Sequence, residues 1–252
     1  MKNILIIVIL ITLASFIPAD NVHTRFKPTA GYNRVAVAPG SFGAYLQALL
    51  LKPAGSHTKT YTGSIARTDP YTAAVIDMSI GSQDLQQCAD AVMRLRAEYL
   101  YQQKNYKAIT FNFTSGFKCD FVHYANGYRY ADGRWVLKGK KDYSYNNFIR
   151  YMTLVFSYAG TLSLEKELMP VASGNDVRIA DVFIKGGSPG HCFIVLDVAE
   201  NAGHKKQFIL VQSFIPAQNI QVLKSGSAWF SLDEPANIPY GELVNARYLK
   251  RF

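Results

Sequence analysis

The apolar positions along the chain outline its elements before anything else does. Ile4 to Ala14 is an almost unbroken run of Ile, Leu and Val behind Lys2, with Thr12 its only polar interruption. A membrane-crossing helix needs about 20 such residues. The run instead matches the apolar core of a secretory signal. The expectation is a signal peptide over residues 1–19 and an exported protein, periplasmic or secreted, over residues 20–252.

Beyond it, Arg34 to Ala38 alternates as a short strand, and Pro39-Gly40 breaks it. Ser41 is placed to cap a helix reaching Leu50. Thr58–Ile65 and Ala73–Ile80 read as strands. The clearest helix runs from Gln83 to Gln103, with Leu85, Cys88, Val92, Leu95 and Tyr99 on one stripe. Asp90, Arg94 and Glu98 lie four apart on another face, expected to be solvated and laced by successive ion pairs. A strand over Ile109–Thr114 precedes a loop-rich section containing Gly116, Gly127, Gly133 and Gly139. Ser144 caps a second helix through Tyr158, and Ser163 starts a short third one. The last third turns to strands: Asp181–Lys185, His191–Ala199 and Gln207–Phe214, with extended pieces at Ile220–Leu223 and Leu243–Leu249. This order predicts a single α+β domain, a long helix packed on an antiparallel sheet.

Composition adds three points. Apolar residues make up 49% of the chain, enough for a sizeable core. The net charge of +9 favours anionic envelope polymers such as peptidoglycan as partners. The basic residues are scattered, only Lys138–Lys141 cluster, and no nucleic-acid motif is present, so nucleic acid is excluded as a partner. No later run approaches transmembrane length. The three cysteines, Cys88, Cys119 and Cys192, fit no zinc spacing, and neither metal nor cofactor is expected.

Chemistry concentrates where a strand ends in Gly186-Gly187-Ser188-Pro189-Gly190 and the next opens on His191. Gly187 and Gly190 let the backbone approach a substrate closely. A hairpin centred near Ala202 and Gly203 sets His191 opposite Gln212 or Ser213. Directly opposed residues have Cβ atoms about 4.5–5.5 Å apart, so either is placed to orient the ring. Cysteine catalysis needs a thiolate, a histidine and a polar group to orient it. Cys88 in the N-terminal part of the long helix, His191 and Gln212 supply that set. Gln87 is placed to donate to an oxyanion, and Arg94 or Arg96 to reach a substrate carboxylate. A plainer reading stands beside this one: Cys88 shares its stripe with Leu85, Val92 and Leu95, as a small core residue would. Cys192 points away from His191 and reads as core. Cys119, in a polar loop, is open to pairing.

The layout resembles the papain-like cysteine hydrolases, and among them the NlpC/P60 cell-wall amidases, in Cys88 on a helix, Ala180-Asp181, Gly190-His191 and Gln212. The resemblance implies a Cys88 nucleophile, a His191 base and an amide or ester substrate. It departs from that family at the nucleophile, where Gln87-Cys88-Ala89-Asp90 replaces Asp-Cys-Ser-Gly. The runs Leu85–Ala91, Arg94–Tyr99, Tyr158–Leu164, Gly187–His191 and Gln212–Gln218 also resemble a family of exported bacterial proteins catalogued only as a domain of unknown function. Two functions therefore stand: a cysteine-dependent amidase or peptidase, and a non-catalytic binding module on a similar scaffold.

Overall fold

The computed structural model describes residues 20–252; the expected signal peptide lies outside the described residues. In chain order the elements are α1 (Val22–Arg25), β1 (Tyr32–Arg34), α2 (Phe42–Gln47), β2 (Thr72–Val75) and α3 (Cys88–Gln102). A smaller unit follows: β3 (Thr110–Asn112), β4 (Lys118–Asp120), α4 (Phe121–Ala125), β5 (Tyr128–Ala131) and β6 (Arg134–Leu137). Then come α5 (Tyr145–Tyr158), α6 (Thr161–Glu167), β7 (Met169–Pro170), β8 (Val182–Lys185), β9 (His191–Asn201), β10 (Lys206–Gln212), β11 (Gln221–Leu223), β12 (Trp229–Phe230) and β13 (Leu249–Arg251). Among the described residues no helix is long and apolar enough to cross a membrane.

One antiparallel sheet dominates. Its order is β2-β11-β10-β9-β8-β13-β7, with β1 added to β9 and β12 to β10. The period-2 alternation of β9 fills two layers at once. Cys192, Ile194 and Leu196 join the core beneath α3, and Phe193, Val195 and Val198 join a second core on the opposite face, under the C-terminal segment. A bulge between Ile209 and Leu210 of β10 makes the parity change after Leu196. Asp197 sits at that irregularity, fully buried, and its carboxylate accepts from Arg34 Nε at 2.6 Å, Gln47 Nε2 at 2.7 Å and the Val198 amide. A buried charge requires such pairing.

Several expectations change here. Thr58–Ile65 is held by isolated bridges rather than a strand, and Leu243–Leu249 is mostly two 3₁₀ turns before β13. The loop-rich section contains two hairpins, β3-β4 and β5-β6. Asp132 and Gly133 both have positive φ in the second, the turn that an Asp-Gly pair between strands favours. Helix caps fall closer to expectation: Ser41 and Ser144 accept from the amides of Ala44 and Asn147.

The solvated face expected on the long helix is absent. Asp90, Arg94 and Glu98 are all buried, because α3 is enclosed by α2, α5, α6 and the sheet together. The ion pair between Arg94 Nε and Glu98 Oε1, at 2.7 Å, is therefore an internal one. Cys119 also departs from its expected polar loop. It is a fully buried residue of β4, and all three cysteines are free thiols.

Candidate active site

The helix that carries Cys88 begins later than its apolar stripe suggests. Residues 83–87 form turns held from outside the helix. Asp84 Oδ1 accepts from the Ala217 amide at 2.6 Å and from Gln87 Nε2 at 3.2 Å. The Ser213 hydroxyl lies 2.9 Å from the Gln86 carbonyl oxygen and 2.8 Å from that of Gln218. Gln87 is extended and acts as N-cap, its amide donating to Asp90 Oδ2 at 2.9 Å. Cys88 is consequently the first helical residue. Its amide belongs to the opening turn, whose N–H groups lack intrahelical acceptors and carry the positive end of the helix dipole.

His191 arrives from the other side. The chain leaves β8 through Gly186 to Gly190, with Gly187 at φ +121°. A Cβ on Gly190 would collide with Thr161 Oγ1 and the Gly187 and Lys185 carbonyls, so only glycine lets the loop close over α6. His191 then opens β9, buried, with its ring stacked on Tyr240 at 4.7 Å between centroids and flanked by Phe193 and Phe214. Its Nε2 lies 2.7 Å from Gln212 Oε1. An amide oxygen only accepts, so this pairing puts the proton on His191 Nε2 and leaves Nδ1 as the ring nitrogen able to accept.

Register explains how Gln212 gets there. Leu210 pairs with Val195 and Val211 with Ile194. Continuing this register sets Gln212 opposite Phe193, not His191. The glutamine reaches His191 along the diagonal, a span of about 7–8 Å between backbones that its long side chain closes. Ser213 does not face His191 at all. It ties the segment before α3 to the loop after β10.

Cys88 is buried and its thiol is held well below its usual range. The largest cause is hydrogen bonding from the Cys192 side chain; burial opposes it, and hydrogen bonding and charge from His191, with the Ala89 amide, add to the lowering. Cys192, wholly buried beneath α3, is pushed up by burial and by its neighbour Cys88, and so keeps its proton. Asp90 is likewise pushed well up, chiefly by burial. A depressed thiol is thus flanked by a raised thiol and a raised carboxyl.

Above it lies a cleft of about 450 Å³, lined by Asp84, Gln87, Cys88, Thr161, Gly187, Gly190 and Tyr240 among others. The structure brings Cys88, His191, Gln212, Gln87, Gly187 and Gly190 together. Arg94 is not among them and faces a neighbouring cavity. Sequence reasoning missed Cys192, Asp90 and Tyr240. Strand parity set Cys192 on the α3 side, but the helix start was needed to see what it would touch. Residues 22–246 match the family described as Domain of unknown function (4846). The chain belongs to that family. No curated protein and no solved structure matches it. Membership in Domain of unknown function (4846) assigns no residue a role, so the chemistry rests on the geometry just described.

Proposed function

We propose that the protein is a cysteine-dependent hydrolase or acyl transferase of the NlpC/P60-like, papain-like kind, acting on amides or esters outside the cytoplasm. The observation that carries this reading is the set Cys88, His191 and Gln212, with the thiol depressed at a helix N-terminus and the imidazole tautomer set by Gln212. The apolar run before residue 20 supports export, and the net charge of +9 suits an anionic envelope polymer such as peptidoglycan.

In this mechanism the Cys88 sulfur attacks the scissile carbonyl carbon from the floor of the cleft. The first-turn amide of Cys88 and the second N–H of the Gln87 side chain, whose nitrogen also donates to Asp84, are the donors this reading assigns to the oxyanion. His191 Nδ1, having taken the Cys88 S–H proton, passes it to the departing nitrogen or oxygen as the C–N or C–O bond breaks, leaving a thioester on Cys88. His191 then takes a proton from water, or from an acceptor nucleophile, which displaces the thiol. Cys192 donates its S–H to the resting thiolate, and Gln212 keeps the ring from rotating.

An electrophilic probe for activated cysteines, followed by peptide mapping, tests the reading. Fast labelling at Cys88 that is lost in His191→Ala is expected. A Cys88 that stays protected until the protein unfolds would instead favour a non-catalytic binding module, a reading its small exposure of 6% keeps open.

A further inference from the structure

We propose that the cavity beside the thiol cleft is a carboxylate-binding subsite built on Arg94 and Gln86. The cavity, about 340 Å³, shares Leu85 and Phe156 with the cleft over Cys88. Arg94 is its only charged lining residue. The donors there outnumber their acceptors. Arg94 Nε donates to Glu98 at 2.7 Å, one Nη to Gln86 Oε1 at 3.2 Å and the other to Tyr145 Oη at 3.2 Å. A guanidinium has five N–H bonds, so two remain without an acceptor among the described residues. Gln86 is 1% exposed, and its Nε2 has no partner among the described residues. Leaving a buried donor unmade is costly, and native proteins keep few such groups.

The complement to this set accepts and does not donate. Glu98 has already turned its Oε1 to Arg94 and Tyr145 and does not line the cavity, so the face presented to a ligand is the guanidinium edge with an amide N–H₂ beside it. Arginine forks match carboxylates in a planar, bidentate way. Leu85, Ile149 and Phe156 supply apolar wall for the body that carries the carboxylate. Taken with the hydrolase reading, on which this step rests, the substrate class is an amide or ester that bears a free carboxylate a short way from the scissile carbonyl.

Calorimetric titration of the protein with N-acetylalanine and with N-acetylalaninamide isolates the charge on an otherwise matched pair. The acid is expected to bind about tenfold tighter or better. Gln86→Leu and Arg94→Lys, each checked by thermal melting, should each remove most of that preference, and Cys88→Ala should preserve it. Equal binding of acid and amide, or binding of neither at millimolar concentration, overturns the subsite. If the acid preference holds while Cys88 proves inert, the subsite stands and only the hydrolase reading falls.

Discussion

Cys88 and Cys119 are both buried free thiols in the same core, and their surroundings drive them in opposite directions. Cys119 lies in the β3-β4 hairpin, two residues before Phe121, and its backbone carbonyl accepts from the Tyr151 hydroxyl at 2.9 Å. Burial raises it, and the neighbouring Asp120 adds to the rise. Cys88 is buried too, with 6% of its surface exposed, yet is lowered, because Cys192, His191 and the Ala89 amide all stabilise negative charge on its sulfur. Burial alone therefore does not decide thiol chemistry. The number and aim of the donors within reach do.

The sharpest way to break this comparison is competitive labelling. With iodoacetamide near neutral pH, Cys88 should react on the order of 100-fold faster than Cys119. Comparable rates at the two sites, read by mass spectrometry, would remove the contrast. Next in size is the effect of the partners: Gln212→Ala should slow Cys88 labelling roughly tenfold by freeing the ring, and Cys192→Ala should move the pH midpoint of that labelling upward. A midpoint that stays put in Cys192→Ala would show that the thiol beside Cys88 does not hold its charge.

Stability against pH sharpens the same contrast with opposite signs. A free cysteine titrates near pH 8.5. The folded Cys88 is lowered, so its contribution is full above that value and is lost as pH falls through the depressed one. The folded Cys119 is raised, so its contribution is full below that value and declines as pH rises beyond it. Relative to the parent, Cys88→Ala should lose the most stability at alkaline pH, and Cys119→Ala should gain relative stability there. Urea unfolding across the range reads both, and slopes of the same sign would contradict the assignment. The smallest expected effect is Tyr151→Phe, which removes the hydroxyl donor to Cys119 and should cost about 1 kcal/mol in urea unfolding. A change confined to Cys88 reactivity would instead mean that the two regions are coupled.

Much of the framework was readable from periodicity. The long helix, the helix at Ser144 and the three strands of the last third all follow from apolar spacing and caps. The chemistry was readable where it depended on local residues: a glycine-lined corner before His191, and a glutamine within reach on the partner strand. The site was less legible where tertiary contacts decide. The stripe through Leu85 suggested a helix starting at Gln83, but Asp84 and Gln86 are held by Ala217 and Ser213, and that long-range tie moves the helix start to Cys88. The same kind of contact buries Arg94, since i,i+4 charge spacing looks identical on an exposed helix and on an enclosed one. The Asp132-Gly133 turn, by contrast, was a local signal, and the hairpin it makes could have been placed from sequence.

Tyr240 stacks on His191 from a segment that lies far along the chain from Cys88. This arrangement fixes when the thiol becomes what it is. While the chain is being synthesised, Cys88 emerges before His191, Gln212 and the ring that stacks on the imidazole, and lacks those neighbours. Its thiol is lowered only once β9 has brought Cys192 and His191 against the start of α3. The surroundings that lower the Cys88 thiol are thus complete only when strands near the C-terminus have docked, and a truncation before Tyr240 would keep Cys192, His191 and Gln212 but remove the ring stacked on the imidazole.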